Sequence, residues 1–172
     1  MELCLFTWSL VCALLQSSAQ SGFYVEVPYV HQVRNYCGPA VLAMVFDYWD
    51  RSVDQHQLAS QFRPFPSQGL SGAELKQLAQ QNGFDAYSFS GANEDILRHL
   101  REGRPLIVAL KPSLISTFNH FVVLTGWDEQ ERDWILHDPS RGPYRRVSAK
   151  RFAGQWKRLK NWTLLILPQA AN

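Results

Sequence analysis

The chain has 172 residues, 46% of them hydrophobic and 19% charged, a balance that excludes a disordered, collagen-like or coiled-coil polypeptide and leaves one globular domain as the default. Its formal charge is +2, from 17 lysines and arginines against 15 aspartates and glutamates, too small an excess for nucleic acid or an anionic membrane as the main partner. Three cysteines cannot all pair, so the chain is not a disulfide-stapled scaffold.

The first segment has the profile of a processing signal, the alternative being a buried N-terminal helix. Leu3 to Leu15 carries no charge, has the length of a signal-peptide core and falls short of the roughly 20 residues a membrane span needs. Ser17 and Ala19 supply the small residues for cleavage before Gln20, although the leading residues hold Glu2 and no Lys or Arg. Residues 1–19 are therefore expected to be removed, residues 20–172 to form a single domain, and the product to be exported, periplasmic or secreted, without stable membrane insertion. Ser9 stands three residues before Cys12 where a lipobox would want Leu, so lipidation is not expected. Processing removes Cys4 and Cys12 and leaves Cys37 alone, a thiol without a partner in an oxidising compartment. Such a thiol is either a reagent or a small buried core residue.

Phe23 to Val27 and on to Val30 alternates apolar and polar residues, an extended stretch broken by Pro28. From Cys37 to Trp49 the apolar residues recur at helical spacing, with Pro39 where a first turn tolerates it, and the predicted helix is buried on most sides. Gln55 to Phe62 is a weaker helix. Ser71 and Glu74 form a capping box for a helix ending near Asn82 and Gly83, and Phe84 to Phe89 is a short strand. Asn93 is expected to cap a helix through Glu102, and Leu106 to Leu110 is a continuous apolar strand. His120 to Trp127 and Trp134 to Asp138 are strands joined by a polar loop, Tyr144 to Val147 and Trp162 to Leu167 are two more, and Ser148 to Trp156 is a short helix. Helices first and strands second predict an α+β domain in which helices pack against one side of a mostly antiparallel sheet.

The chemistry starts from Cys37, at the mouth of the long helix, where unpaired N–H groups and the positive dipole end favour a thiolate. A nucleophile needs a base and an orienting group for that base. His120 and Asp138 flank a predicted hairpin and are expected near the same end of adjacent strands. Asp138 would then fix one imidazole nitrogen and leave the other for Cys37, while His137 faces the opposite side of its strand. Gln32, five residues before Cys37, is placed to donate its amide to an oxyanion; otherwise it is an exposed loop glutamine.

The segment Gln32-Val-Arg-Asn-Tyr-Cys37-Gly38-Pro39-Ala40, with His120-Phe-Val-Val-Leu and Asp138-Pro139, resembles the bacteriocin-processing C39 peptidases and their stand-alone C39-like relatives, from about Val27 to Leu167. The resemblance implies a papain-like fold, with Cys37 as nucleophile, His120 as general base and then acid, Asp138 as orienting carboxylate and Gln32 as oxyanion donor. It implies a peptide or protein substrate and no cofactor or metal. Tyr36 stands where the processing peptidases commonly have an acidic residue, and no fused ATP-binding transporter is present in these 172 residues, so leader-peptide processing does not follow.

Two other functions fit the same residues: a different thiol acyl-transfer enzyme, such as an amidase or transpeptidase, and a non-catalytic peptide-binding module. A zinc site from Cys37, His120, His137 and Asp138 lacks the usual ligand spacing. His31, His56 and His99 have no partner pattern and read as surface or loop residues, His31 being adjacent to Gln32. Arg145, Arg146, Lys150, Arg151, Lys157, Arg158 and Lys160 make the C-terminal third basic, a solvated face or a substrate-steering patch. Trp127 and Phe118 are candidates for lining a peptide groove.

Overall fold

A computed structural model describes residues 22–62, 64–112 and 119–169; the expected signal segment and Phe118 lie outside the described residues. The chain runs β1 (Gly22–Tyr24), α1 (Cys37–Tyr48), α2 (Gln55–Ser60), α3 (Gly72–Gln81), β2 (Phe84–Ser90), α4 (Asn93–Arg101), β3 (Leu106–Leu110), β4 (His120–Asp128), β5 (Asp133–Asp138), β6 (Gly142–Ser148), α5 (Ala149–Lys157) and β7 (Trp162–Pro168).

Local chemistry accounts for most of these boundaries. Every residue of α1 from Cys37 to Phe46 is buried, as a helix apolar all round must be. Pro39 costs it nothing, because an N–H in the first turn would have no intrahelical acceptor. Helix α2 starts where the Asp54 carboxylate accepts the His56 N–H at 2.7 Å. Helix α3 has the expected box: Ser71 Oγ accepts the Glu74 N–H and Glu74 accepts the Ser71 N–H at 2.7 Å. It stops at Gly83, whose φ of 78° is the left-handed conformation that closes a helix. At α4 the expectation fails. Asn93 is inside the helix, Ala92 is the cap residue, and the end is held by the Asp95 carboxylate accepting the Ala92 N–H at 3.0 Å.

The seven strands form one sheet in the order β2-β7-β3-β4-β5-β6, every pairing antiparallel, with β1 beside β4. Strand β3 leaves β4 at Leu124, and β1 takes its place from Gly126 to Asp128. A side chain at 126 would drive into the Phe23 carbonyl and Tyr24, so glycine there is what lets β1 dock. The edge strand β6 carries Pro143 and a bulge against β5, both of which discourage pairing with another chain.

The register assigns the helices to two faces. Ile107, Val123 and His137 are successive cross-strand partners, and Leu164 beside Ile107 shares their face with Ile166, Ala86 and Phe84. Phe46 of α1 stacks on Phe84 at 4.2 Å, and the start of α3 at Gly72 abuts Trp162. The other face holds Leu124, Leu136 and Trp134, and Phe152 of α5 packs on Trp134 at 5.4 Å. His99 of α4 neighbours Phe89 on that second face. The N-terminal helices thus cover one side as expected, while α4 and α5 cover the other. One continuous core of buried apolar residues runs through both layers.

Candidate active site

Cys37 is the first residue of α1 and is 9% exposed. No side chain caps the helix at Tyr36, and the first turn holds no acidic residue. The N–H groups of Cys37 and Gly38 therefore face the helix mouth without a capping side chain, and Pro39 has none. These are the features of an anion-stabilising terminus. Cys37 Sγ lies 4.0 Å from the carbonyl oxygen of Asn119, which places the sulfur against the first residue of β4.

That residue is His120. Its Nε2 is 2.8 Å from Asp138 Oδ1, and the Cys37 thiol is the second side chain that acts on the imidazole. With Nε2 on the carboxylate, Nδ1 is the nitrogen left for sulfur. Burial pulls the His120 pKa down, but the hydrogen bonds and charges of Asp138 and Cys37 outweigh it and raise the pKa to about 9. Burial pushes Asp138 up, but its hydrogen bonds with His120 and Ser140 prevail and hold it at about 2. Asp138 Oδ1 accepts the Ser140 N–H at 3.0 Å and the Ser140 hydroxyl at 2.8 Å, and Arg141 Nε lies 3.7 Å from Oδ2. The carboxylate is thus fixed by a turn of its own chain before it meets the imidazole.

Gln32 is carried on the segment leading into α1, which is fastened to the end of β5. The Gln32 N–H donates to the Pro139 carbonyl at 2.9 Å, and the Tyr29 hydroxyl donates to the carbonyls of Asp138 and Pro139 at 3.1 and 3.3 Å. Gln55 of α2 grips the backbone on both sides of Gln32: its Nε2 donates to the His31 carbonyl at 2.9 Å and its Oε1 accepts the Val33 N–H at 3.0 Å. The Gln32 side chain itself is left unheld; its Oε1 is buried with no hydrogen-bond partner among the described residues. The four residues singled out from sequence are therefore brought to one corner by contacts among α1, β4, β5 and the segment before α1.

His137 faces away, as alternation requires. It is fully buried, accepts the Tyr144 N–H on Nδ1 at 3.1 Å and meets the Val27 carbonyl through Nε2 at 2.8 Å, so it donates from Nε2 as a neutral ring. Burial lowers its pKa. His99 corrects the sequence reading: it is 7% exposed rather than a surface residue. His31 and His56 are exposed. Trp127 lies at the far end of β4 against Trp134, 4.7 Å away, not beside His120. No group of three or more metal-ligating side chains occurs among the described residues, and no described helix is long and apolar enough to cross a membrane. Ser140 was legible in principle, as a serine two residues after an aspartate in a turn; Gln55 carries no local signal.

Residues 24–164 match the Peptidase_C39 like family. No curated protein matches the chain in sequence. Among solved structures, a protein described as a C39-like peptidase from Bacillus anthracis superposes with a TM-score of 0.73 at 18% identity, over 87% of this chain and 100% of that one. The peptidase domain of Streptococcus ComA, a bifunctional ABC transporter of a quorum-sensing pathway, gives 0.66 at 25% identity, over 81% and 97%. A double-glycine-motif protease from an AMS/PCAT transporter, solved with its leader peptide, gives 0.66 at 22%, over 85% and 94%. The fold is the papain-like fold of these peptidase domains.

Proposed function

The chain belongs to the Peptidase_C39 like family, and from that premise we propose that it is an exported cysteine peptidase that hydrolyses peptide bonds with Cys37, His120 and Asp138. The observation that carries the reading is the imidazole of His120 bonded to a buried carboxylate, with a helix-mouth thiol held 4.0 Å from the carbonyl of the preceding residue, Asn119.

In the mechanism, the Cys37 sulfur, having given its proton to His120 Nδ1, attacks the carbonyl carbon of the scissile bond. The oxyanion that forms is held by the Cys37 N–H and the amide N–H of Gln32. As the C–N bond breaks, His120 gives its proton to the departing amine, leaving a thioester on Cys37. A water then loses a proton to His120 as its oxygen attacks the thioester; the carboxylic acid leaves and the thiol–imidazole pair is restored. Asp138 keeps the ring oriented and stabilises its charged form without taking up the proton. The likeness to a leader-peptide protease and the length of the matched segment support a peptide as substrate.

The test needs two readouts. Cys37→Ala is expected to abolish hydrolysis of a peptide library while the circular dichroism spectrum is unchanged, and His120→Ala to do nearly the same. Iodoacetamide should alkylate Cys37 of the wild-type protein quickly at pH 6 to 7 and slowly in His120→Ala. Hydrolysis retained in Cys37→Ala ends the nucleophile assignment; alkylation indifferent to His120 ends the pairing.

A further inference from the structure

Residues 139–172 contain eight lysines and arginines and no aspartate or glutamate, in a chain whose overall charge is only +2. The fold gathers this charge beside the active site. A cavity of about 90 Å³ begins at His120 and Asp138 and is rimmed by Arg141, Arg145, Arg146 and Arg151. It continues through Arg151 into a shallower hollow along α5 that carries Lys150 and Arg158. All six cationic side chains belong to exposed residues.

Three of them are engaged. Arg146 is paired with Asp128, Arg141 reaches Asp138, and Arg158 Nη1 donates to the Lys111 carbonyl at 3.0 Å. Arg145, Lys150 and Arg151 have no acidic partner among the described residues. Arg145 lies directly across from Leu136 in the β5–β6 register, which turns it toward the face of the cavity. Arginines held apart from any counter-charge around one concavity repel each other, and an anionic ligand relieves that repulsion. An edge strand needs some charge to block pairing, but Pro143 and the bulge already serve that purpose on β6, and the cations extend beyond the strand onto α5.

Neither Cys37 nor Gln32 lines this cavity, which borders His120 and Asp138 instead. His120 is the group that protonates the departing amine in the proposed mechanism, so the chain leaving with that amine departs past a residue that borders the cavity. Resting on the peptidase reading above, we infer that the cavity and the α5 hollow bind an acidic segment of the substrate on the C-terminal side of the cleaved bond, with Arg145 and Arg151 as the main determinants. Arginine forks suit paired carboxylate oxygens, and the apolar floor contributed by Leu136 and its neighbours accommodates the methylenes of glutamate.

The experiment has a cleavage arm and a binding arm. A peptide library with randomised flanks is digested and the products are read by mass spectrometry: Asp and Glu should be enriched about fivefold or more within the few positions after the cut, and Arg145→Glu/Arg151→Glu should reverse the enrichment toward Lys and Arg. Arg145→Lys/Arg151→Lys should keep the acidic preference. In the binding arm, rhodamine-labelled octaglutamate should bind the Cys37→Ala protein in low salt, weaken about tenfold or more as salt rises past about 0.3 M, and fail to bind when the two arginines are reversed, with thermal melting used to confirm that each variant is folded. Octaglutamate binding that ignores the charge reversal overturns the inference, as does single-stranded DNA binding as tightly with the same dependence on Arg145 and Arg151. If no peptide is cleaved yet octaglutamate still binds through these arginines, the peptidase reading fails and the acidic-segment site stands.

Discussion

The pH behaviour of the site follows from two side chains whose hydrogen bonds overrule their burial. His120, ordinarily near 6.5, is raised to about 9, and Asp138, ordinarily near 3.8, is lowered to about 2. The raised histidine contributes stability that is complete below about 6.5 and is lost as pH climbs through about 9; the lowered aspartate contributes stability that is complete above about 3.8 and is lost as pH falls through about 2. The melting-temperature difference between the wild-type protein and His120→Ala should therefore be largest near pH 5 to 6 and shrink toward pH 10. In the proposed mechanism His120 must carry the proton it gives to the leaving amine, so kcat/KM is expected to fall as pH rises through about 9. Asp138→Asn removes the main influence raising that pKa and should bring the alkaline limb down by at least one pH unit, along with a lower maximal rate; a pH–rate profile with the limb unmoved would remove Asp138 from the pair. His137 has the opposite sign. Its lowered pKa means that its neutral-state contribution is present above the ordinary histidine range and is eroded as pH falls below it.

Among the secondary-structure elements, α2 is the short helix with the largest leverage on the site. Through one buried side chain it holds the carbonyl of His31 and the N–H of Val33, fixing the backbone from which Gln32 projects. Gln55→Leu is expected to cost about 1–3 kcal/mol of stability, because a part-buried N–H and carbonyl lose their partners. Steady-state kinetics should show kcat reduced roughly tenfold with KM changed less, the pattern of a displaced oxyanion donor. Alkylation of Cys37, which requires His120 and not Gln32, should stay within about twofold of wild type, and that split separates positioning from general loosening. Most elements were legible because their signals are local: Ser71 with Glu74, the apolar run after Cys37, the alternation around Asp138. The start of α4 was misread because asparagine is a common cap residue, whereas the device used is Asp95 reaching back to Ala92. The second helix layer was not legible at all, since an amphipathic helix such as α5 declares which of its sides is apolar but not which sheet face it will cover. Gln55 stayed hidden for a related reason: its partners are 22 and 24 residues away, and nothing in its neighbours announces them. Cys37, His120, Asp138 and Gln32 stood out together because residue type and order narrow the possibilities even without contacts.

For the molecule as a whole, the segment before α1 ties its two halves together. His137 bonds the Val27 carbonyl and takes the Tyr144 N–H, so it links that segment, β5 and β6 through one ring. His137→Leu leaves the buried Val27 carbonyl and the part-buried Tyr144 N–H unpaired and is expected to destabilise by about 2–4 kcal/mol, which for a domain of this size lowers the melting temperature by roughly 5–15 °C; calorimetry of the purified variant checks it. In the proposed exported form the new N-terminus is Gln20, two residues before β1 begins at Gly22. N-terminal sequencing of protein recovered outside the cytoplasm should read Gln-Ser-Gly-Phe, and a product still beginning at Met1 would rule out the cleavage.

The bond from the Gln32 N–H to the Pro139 carbonyl spans more than a hundred positions of the chain, and the His120–Asp138 pair closes only once β4 and β5 have come together. A ribosome that has released α1 but not β5 holds a cysteine with no imidazole fixed beside it. Long-range closures of this kind form late and slowly. The nascent chain should consequently be chemically quiet throughout synthesis, its thiol gaining reactivity only with the completed sheet, so the onset of alkylation during refolding would report the moment at which the fold closes.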